Sequence, residues 1–145
     1  MKKFGITIAI LIFLLAACSP ASKPASKIEV SQAVVRLLSG DMPAVGYLLI
    51  KNTGTLNDRL LSITSDSAQQ VMLHQSSVDA NGVASMKMVM SIDVPAGGQV
   101  ELKPGGFHIE LGGLAPGLKV GDTITLQLKF EQAGVIPVQA QVTGQ

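Results

Sequence analysis

Short apolar segments separated by turn residues run through this chain from Ile28 to Val142. In several of them apolar and polar side chains alternate, which is typical of β-strands with one face against a core. The breaks are rich in Gly, Pro, Asn and Asp, the residues that favour turns. Nine strands are predicted, at residues 28–37, 46–52, 59–65, 70–75, 86–90, 99–102, 107–111, 123–130 and 135–142. This spacing predicts an antiparallel β-sandwich or barrel with little or no helix.

The first residues have a different pattern. Lys2 and Lys3 precede an apolar run, residues 6–17, which is shorter than the about 20 residues of a membrane-spanning helix. This arrangement is typical of a secretory signal peptide. The run ends in Leu15-Ala16-Ala17-Cys18, which resembles the lipobox of bacterial lipoproteins, where the cysteine becomes the acylated first residue. We therefore predict a lipoprotein signal peptide at residues 1–17, with an ordinary secretory signal as the alternative.

Lipidation of Cys18 agrees with its being the only cysteine. An acylated thioether neither forms a disulfide nor binds a metal as a thiolate, and stable anchoring needs more than one acyl chain. Residues 18–27 are small residues, lysines and prolines, which predicts a flexible, lipid-anchored linker. Residues 28–145 then form the folded domain. The predicted location is the cell envelope, facing the periplasm or, in a Gram-positive cell, the outer surface.

The charge of the chain excludes some partners. Its net charge is +1, which becomes −1 once Lys2 and Lys3 are removed with the signal. A near-neutral domain lacks the basic surface that nucleic-acid binding requires, and it has no basic patch for anionic lipid. Membrane contact is therefore expected through the lipid anchor alone.

The most informative side chains are soft metal ligands on predicted strands: His74, Met86, Met88 and His108. Imidazole with thioether favours copper, and Cu(I) above Cu(II). If the segments around Asn81-Gly82 pair directly, a two-residue loop puts His74 opposite Val89 and sends Met86 to the other face. A three-residue loop with Gly82 in the left-handed conformation puts His74 opposite Met88, with Met86 diagonal on the same face. Only the second register places the candidate ligands on one face, so we predict the three-residue loop.

His108 shares a strand face with Glu110, whereas Phe107, Ile109 and Leu111 point the other way, towards the core. For a single histidine the simpler interpretation is a surface residue or a satisfied hydrogen-bonding group. Likewise, methionine is a common core filler, so the methionines carry weight only through their spacing and context. The core-filler hypothesis applies to four of them, Met72, Met86, Met88 and Met90.

In spacing and context the chain resembles the periplasmic copper chaperones called PCu(A)C. Their signature is a His, about ten residues, a Met, 21 residues, then His-x-Met. Here eleven residues separate His74 from Met86, and 21 separate Met86 from His108. Residues 58–62, 94–98 and 102–108 also match the style of the family. The resemblance implies a cupredoxin-like Greek-key β-sandwich of about eight or nine short strands. It also implies a metallochaperone that carries Cu(I) to a copper-accepting assembly protein or oxidase subunit, such as the binuclear copper site of cytochrome oxidase.

The last methionine of the signature is replaced by Glu110. A carboxylate is a hard ligand that fits Cu(I) poorly, so three arrangements are open. The metal site is three-coordinate with His74, Met86 and His108; or Met88, less readily Met72, adds a second sulfur; or Glu110 binds and shifts the preference towards Cu(II) or zinc. A carboxylate that does not bind the metal can still orient an imidazole.

Other classes of protein fit the sequence less well. A blue-copper electron carrier needs a Cys ligand, and a hydrolase needs an oriented nucleophile that no motif here supplies; we predict that the chain is not an enzyme. The remaining alternative is a lipid-anchored β-sandwich that binds or organises other envelope components without a metal.

Overall fold

The computed structural model describes residues 23–40 and 42–144, so the predictions for the signal peptide and for Cys18 lie outside the described residues. All of the regular secondary structure assigned to these described residues is β-strand. The strands are β1 (Ile28–Arg36), β2 (Ala44–Asn52), β3 (Asp58–Thr64), β4 (Ala68–Val78), β5 (Ala84–Met88), β6 (Ile92–Val94), β7 (Gln99–Leu102), β8 (Phe107–Leu114), β9 (Thr123–Phe130) and β10 (Val135–Thr143). No helix within the described ranges is long and apolar enough to cross a membrane.

The strands form one hydrogen-bonded sheet in the order β5-β4-β8-β2-β1-β10-β9-β3-β6, with β7 also paired to β2. The sheet folds over on itself, because β3 contacts β4 and β6 contacts both β2 and β7. Many sheet neighbours are distant in sequence, as in Greek-key folds. The prediction of an all-β cupredoxin-like sandwich is confirmed.

Two details differ from the predicted strands. Ten strands form rather than eight or nine, because β6 is a separate three-residue strand, too short to show an alternating pattern. In addition β1 and β10 pair in parallel, with Val34 opposite Gln141, in a sandwich predicted to be antiparallel. These two strands are the first and the last in the sequence. No hairpin turn joins them, so the sequence does not mark their relative direction.

The core lies between the two folded layers of the sheet. Each layer supplies alternate apolar side chains: Ile109 and Leu111 of β8 are fully buried, as are Leu126 and Leu128 of β9. Because successive residues point to opposite faces, burying Ile109 and Leu111 leaves the intervening residues of β8 on the outer face. The predicted division of β8 into a core face and a polar face is confirmed.

A buried carboxylate, Asp58, joins separate parts of the domain. Its oxygens accept hydrogen bonds from the backbone amides of Arg59 (2.7 Å), Gln132 (2.9 Å) and Ala133 (3.0 Å), and from the hydroxyl of Ser26. Burial by itself raises the pKa of Asp58, but these hydrogen bonds to the ionised form outweigh it, so the pKa lies below its usual range. The ionised carboxylate therefore ties the β9–β10 turn and the N-terminal segment to β3.

The ordered part of the domain begins before Ile28. The carbonyl of Ala25 accepts a hydrogen bond from the amide of Thr55 (2.9 Å), and the carbonyl of Lys27 accepts one from Thr53 (2.8 Å). Residues 25–27 therefore contact the segment between β2 and β3.

We predict that Asp58 makes the free energy of unfolding depend on pH. Because its pKa is lower in the folded chain than in the unfolded one, its contribution is present above the carboxyl range, about pH 4, and is lost as pH falls through the folded-state value. Asp58→Asn is expected to lower the free energy of unfolding by about 1–3 kcal/mol at pH 7. Urea unfolding at several pH values measures both effects.

The matched control is Asp93→Asn, which removes an exposed partner of Arg59. A surface ion pair contributes about 0–1 kcal/mol, so this variant is expected to stay close to the parent. If Asp58→Asn and Asp93→Asn have the same stability at pH 7, the assigned role of Asp58 is wrong.

Candidate metal centre

The central strand of the candidate site is β4, which lies between β8 and β5. His74 of β4 is opposed by His108 of β8 on one side and by Met88 of β5 on the other. Directly opposed residues share a face, with Cβ atoms about 4.5–5.5 Å apart. The two histidines and this methionine therefore form a row across three strands on the outer face.

The β4–β5 hairpin sets this row. The amide of Asp79 donates to the carbonyl of Val83 (3.0 Å) and the amide of Gly82 donates to the carbonyl of Asp79 (3.0 Å), which leaves residues 80–82 as the loop. Gly82 has a φ of +80°, a conformation that glycine adopts without the strain a Cβ would bring. The predicted three-residue loop and its register are confirmed.

The other predicted sulfur ligand lies on the same face. Met86 is opposed by Ser76. It therefore lies diagonal to His74, two residues nearer the tip of the β4–β5 hairpin. Two residues from His74 in the opposite direction along β4, Met72 is opposed by Glu110 of β8. All of the side chains proposed from the sequence as metal ligands, together with Met72, thus share the outer face of β5, β4 and β8.

The imidazole of His108 is buried, with 7% of the residue exposed. Its Nδ1 lies 3.0 Å from the carbonyl oxygen of Gly106. A carbonyl can only accept, so Nδ1 carries the hydrogen and Nε2 keeps a lone pair in the neutral ring. The same carbonyl accepts the backbone amide of Ser76 (3.0 Å), so Gly106 fixes both the ring and the adjoining end of β4.

The imidazole of His74 has fewer hydrogen bonds than that of His108. Among the described residues, its Nδ1 is the one buried side-chain nitrogen or oxygen without a hydrogen-bond partner. A carboxylate oxygen of Glu110 lies 3.4 Å from this Nδ1, close enough for charge attraction but not aligned as a hydrogen bond. The ring meets that of His108 edge-on, with centroids 5.8 Å apart and planes at 90°. A buried side-chain nitrogen without a hydrogen-bond partner is unusual in a folded protein.

The methionines of this face are not core residues. Met86 and Met88 are 57% and 60% exposed, and Met90, two residues beyond β5, is 80% exposed. The core-filler hypothesis is therefore wrong for these three. The intervening Lys87 and Val89 belong to the opposite face of the strand, and Val89 packs against the core. One buried and one half-buried imidazole thus share a sheet face with methionine side chains that are open to solvent.

This arrangement fits a soft metal ion better than a hard one. Within the described ranges, no three His, Cys, Asp or Glu side chains are grouped so that they could hold a metal ion. Two imidazoles and two thioethers, in contrast, lie on one face of the sheet, and that set favours Cu(I). The apolar–polar pattern of the chain does not predict the Gly106 carbonyl that orients His108; the Gly105-Gly106 pair just before Phe107 is the signal in the sequence that points to it.

Comparison with known proteins agrees with this fold. The family model described as "Putative lipoprotein LpqE-like" matches residues 28–142. The chain belongs to the LpqE-like family. A curated relative, "Putative lipoprotein Lxx21020" of Leifsonia xyli subsp. xyli, is 34% identical over 145 residues, covering 94% of this chain and 86% of that protein.

Solved structures similar to this LpqE-like chain include PCuAC domains. A copper-bound PCuAC domain from PmoF2 is 28% identical with a TM-score of 0.68, covering 83% of this chain and 96% of that one. The Cu(I) form of DR1885 from Deinococcus radiodurans is 26% identical with a TM-score of 0.63, covering 88% and 85%. The resemblance to the PCu(A)C chaperones is confirmed.

We predict that neutral His108 exists as the tautomer with hydrogen on Nδ1, because the Gly106 carbonyl accepts that hydrogen. Ring ¹⁵N chemical shifts of the metal-free protein at alkaline pH measure this directly. The expected spectrum shows a protonated Nδ1 and an unprotonated Nε2 for His108. The opposite tautomer would contradict the orientation assigned to the ring.

Proposed function

We propose that this LpqE-like protein is an extracytoplasmic copper carrier and not an enzyme. It binds Cu(I) on the outer face of β5, β4 and β8 and passes the ion to a copper-accepting protein. The observation that carries this proposal is the row formed by His108, His74 and Met88, in a domain whose solved neighbours include copper-bound forms.

The proposed ligands are His74, His108 and Met86, with Met88 as the second sulfur. His108 offers Nε2, because its Nδ1 is engaged by Gly106. Met88 is the best replacement for the methionine missing at position 110, since it lies directly opposite His74 whereas Met86 is diagonal. Long, unbranched methionine side chains adapt readily to such a position.

Glu110 acts in this proposal by positioning His74 and not as a metal ligand. Its carboxylate lies beside Nδ1 of His74, and acceptance of an Nδ1 hydrogen would leave Nε2 of His74 for copper. Thioether and imidazole remain the softer donors for Cu(I), while a bound carboxylate would favour Cu(II) or zinc.

The exposure of the sulfur ligands suits transfer. An incoming donor can approach copper from the side of Met86 and Met88, which face solvent, while the two less exposed imidazoles hold the ion until exchange is complete. We propose stepwise ligand exchange with an acceptor that offers soft ligands, such as an assembly protein or the binuclear copper site of an oxidase subunit, as the PCu(A)C resemblance implies.

We propose further that the protein is anchored by acylated Cys18 in the cell envelope, on the extracytoplasmic side. The lipobox-like sequence and the lipoprotein descriptions of the family and its relative support this. Cells expressing the parent are expected to yield protein in the detergent phase after Triton X-114 extraction, and Cys18→Ser is expected to remove it from that phase. Retention of the variant in the detergent phase would contradict lipid anchoring.

Cu(I) binding tests the proposed function. Removal of a group that only orients a metal ligand costs about 10- to 100-fold in affinity, so His74→Ala and His108→Ala are each expected to exceed that loss. Met86→Leu and Met88→Leu should each weaken binding about tenfold, an order-of-magnitude expectation from losing one soft ligand of several. Titration against a Cu(I) chelator, with the full-length chain in detergent and Cys18→Ser throughout, measures these affinities without a competing thiol.

Met42→Leu is the matched control, because Met42 is exposed but lies in a hollow with Gly113 and Leu114, at the far end of β8 from His108. Glu110→Gln should cost less than either histidine variant if the carboxylate only positions His74. The copper-loaded parent should lose its ion to a dithiol acceptor peptide. A metal-independent scaffold predicts no specific Cu(I) binding and no effect of either histidine variant, and that result would overturn the proposal.

A further inference from the structure

The hairpin formed by β4 and β5 carries apolar side chains on its outer face, the face of the proposed copper ligands. On this face Val78 is opposite Ala84, and Met86 and Met88 follow along β5. The exposed fractions are 67% for Val78, 57% for Met86 and 60% for Met88, and Ala84 is exposed as well. Single apolar side chains scattered over a surface are normal, but these four are neighbours on paired strands. We call these four side chains the hairpin face.

The opposite side of the same hairpin is polar. There Ser77 is opposite Ser85, with their hydroxyl oxygens 3.0 Å apart, and Gln75 is opposite Lys87. Every residue of β5 is exposed, so the described chain covers neither side of this strand. A half-buried antiparallel strand normally turns its apolar side chains to the core and its polar ones to solvent. The hairpin has the reverse arrangement, which core packing does not explain.

The hairpin face is also free of charge. Lys87 points to the opposite side, and the carboxylate of Asp79 at the tip accepts hydrogen bonds from two amides of its own loop (both 2.9 Å). Apart from the hairpin face itself, the strand residues of β4 and β5 on this side include Ser76 and His74. A partner is therefore attracted here by apolar contact and not by charge.

We propose that the hairpin face is the docking surface for the protein that accepts copper, an inference that rests on the proposed function of the adjacent site. Two of its four side chains, Met86 and Met88, are the proposed sulfur ligands, so a partner that covers this face also reaches the ion. The matching surface on the partner is an uncharged apolar rim around its own soft ligands. Docking holds the two sets of ligands together, so that exchange proceeds as if within one molecule.

Two other occupants agree less well with these features. Four side chains are far fewer than the about 20–30 residues per partner of a stable interface, so a lasting dimer through this face is not expected. Lys87 also disfavours addition of a second chain along β5. None of the four side chains is basic, so the hairpin face offers nothing to anionic lipid. A brief encounter with an acceptor needs only a small patch.

The first test compares Cu(I) transfer to two synthetic peptides that each carry a pair of cysteines. One has leucine and valine around the cysteines, and the other has serine at those positions. The copper-loaded full-length chain is held in nanodiscs of phosphatidylethanolamine and phosphatidylglycerol, with Cys18→Ser throughout. It is expected to load the apolar peptide at least about tenfold faster, equivalent to about 1.4 kcal/mol. Because the hairpin face is uncharged, this rate should change less than about twofold between low and high salt.

Val78→Lys tests the surface without changing a proposed ligand. Val78 lies four residues from His74 along β4, about 13 Å away, so Cu(I) affinity should not change measurably. The added charge should abolish the preference for the apolar peptide. Val78→Thr keeps the branched shape and should reduce the preference about two- to fivefold. Val135→Lys is the matched control, because Val135 is 58% exposed but begins β10, five strands from β5 in the sheet.

The methyl signals of Met86 and Met88 report what covers the hairpin face. In the metal-free chain labelled with [methyl-¹³C]methionine, an apolar peptide with serine in place of both cysteines should shift both signals and leave Met42 unchanged. This result separates docking from metal exchange. Shifts on dilution of the chain alone would indicate a second copy, and broadening by spin-labelled lipid in the nanodisc would indicate the membrane. Either of these two outcomes would overturn the proposal.

Failure of this proposal is distinguishable from failure of the proposed function. Equal transfer to both peptides, or a Val78→Lys variant that behaves like Val135→Lys, would overturn the docking surface and leave the copper carrier intact. A parent that binds no Cu(I) at all would overturn the proposed function, and the docking surface would fall with it.

Discussion

The pairing of β4 with β8 on one side and β5 on the other is the constraint on which the candidate site depends. Strand side chains alternate between faces, so a slip of one residue in either pairing would move a whole set of ligands to the opposite face. Two local devices hold the register: the three-residue loop closed at Gly82, and the Gly106 carbonyl that accepts the Ser76 amide. Neither device is itself a ligand, yet together they bring His108, His74 and Met88 into one row.

The Gly106 carbonyl links the backbone to the chemistry of the site. It accepts both a strand amide and the ring hydrogen of His108, so the geometry of the β7–β8 turn also sets the tautomer of a proposed copper ligand. This turn exists because β7 and β8 pair with successive stretches of the same edge of β2, β7 with Leu48–Lys51 and β8 with Ala44–Gly46. The turn between β7 and β8 is therefore part of the candidate site.

Much of this arrangement could be predicted from the sequence, because it depends on local patterns. The alternation in β8 indicated which side of the strand His108 occupies, and the loop chemistry around Asn81-Gly82 indicated the partner of His74. The burial of His108 and the parallel pair of β1 and β10 depend on contacts between distant segments, which single-sequence periodicity does not report. The same holds for Asp58, whose hydrogen-bond partners lie 32 and 74 residues away.

The position of Lys87 has a consequence for how the protein behaves in solution. It lies on an edge strand, between two exposed methionines but on the opposite, core-side face. An exposed strand with apolar side chains invites another chain to add to the sheet, and a charged side chain on the inner face of such a strand discourages that addition because the charge would be desolvated. A charge at this position therefore disfavours edge-to-edge addition of a second chain along β5.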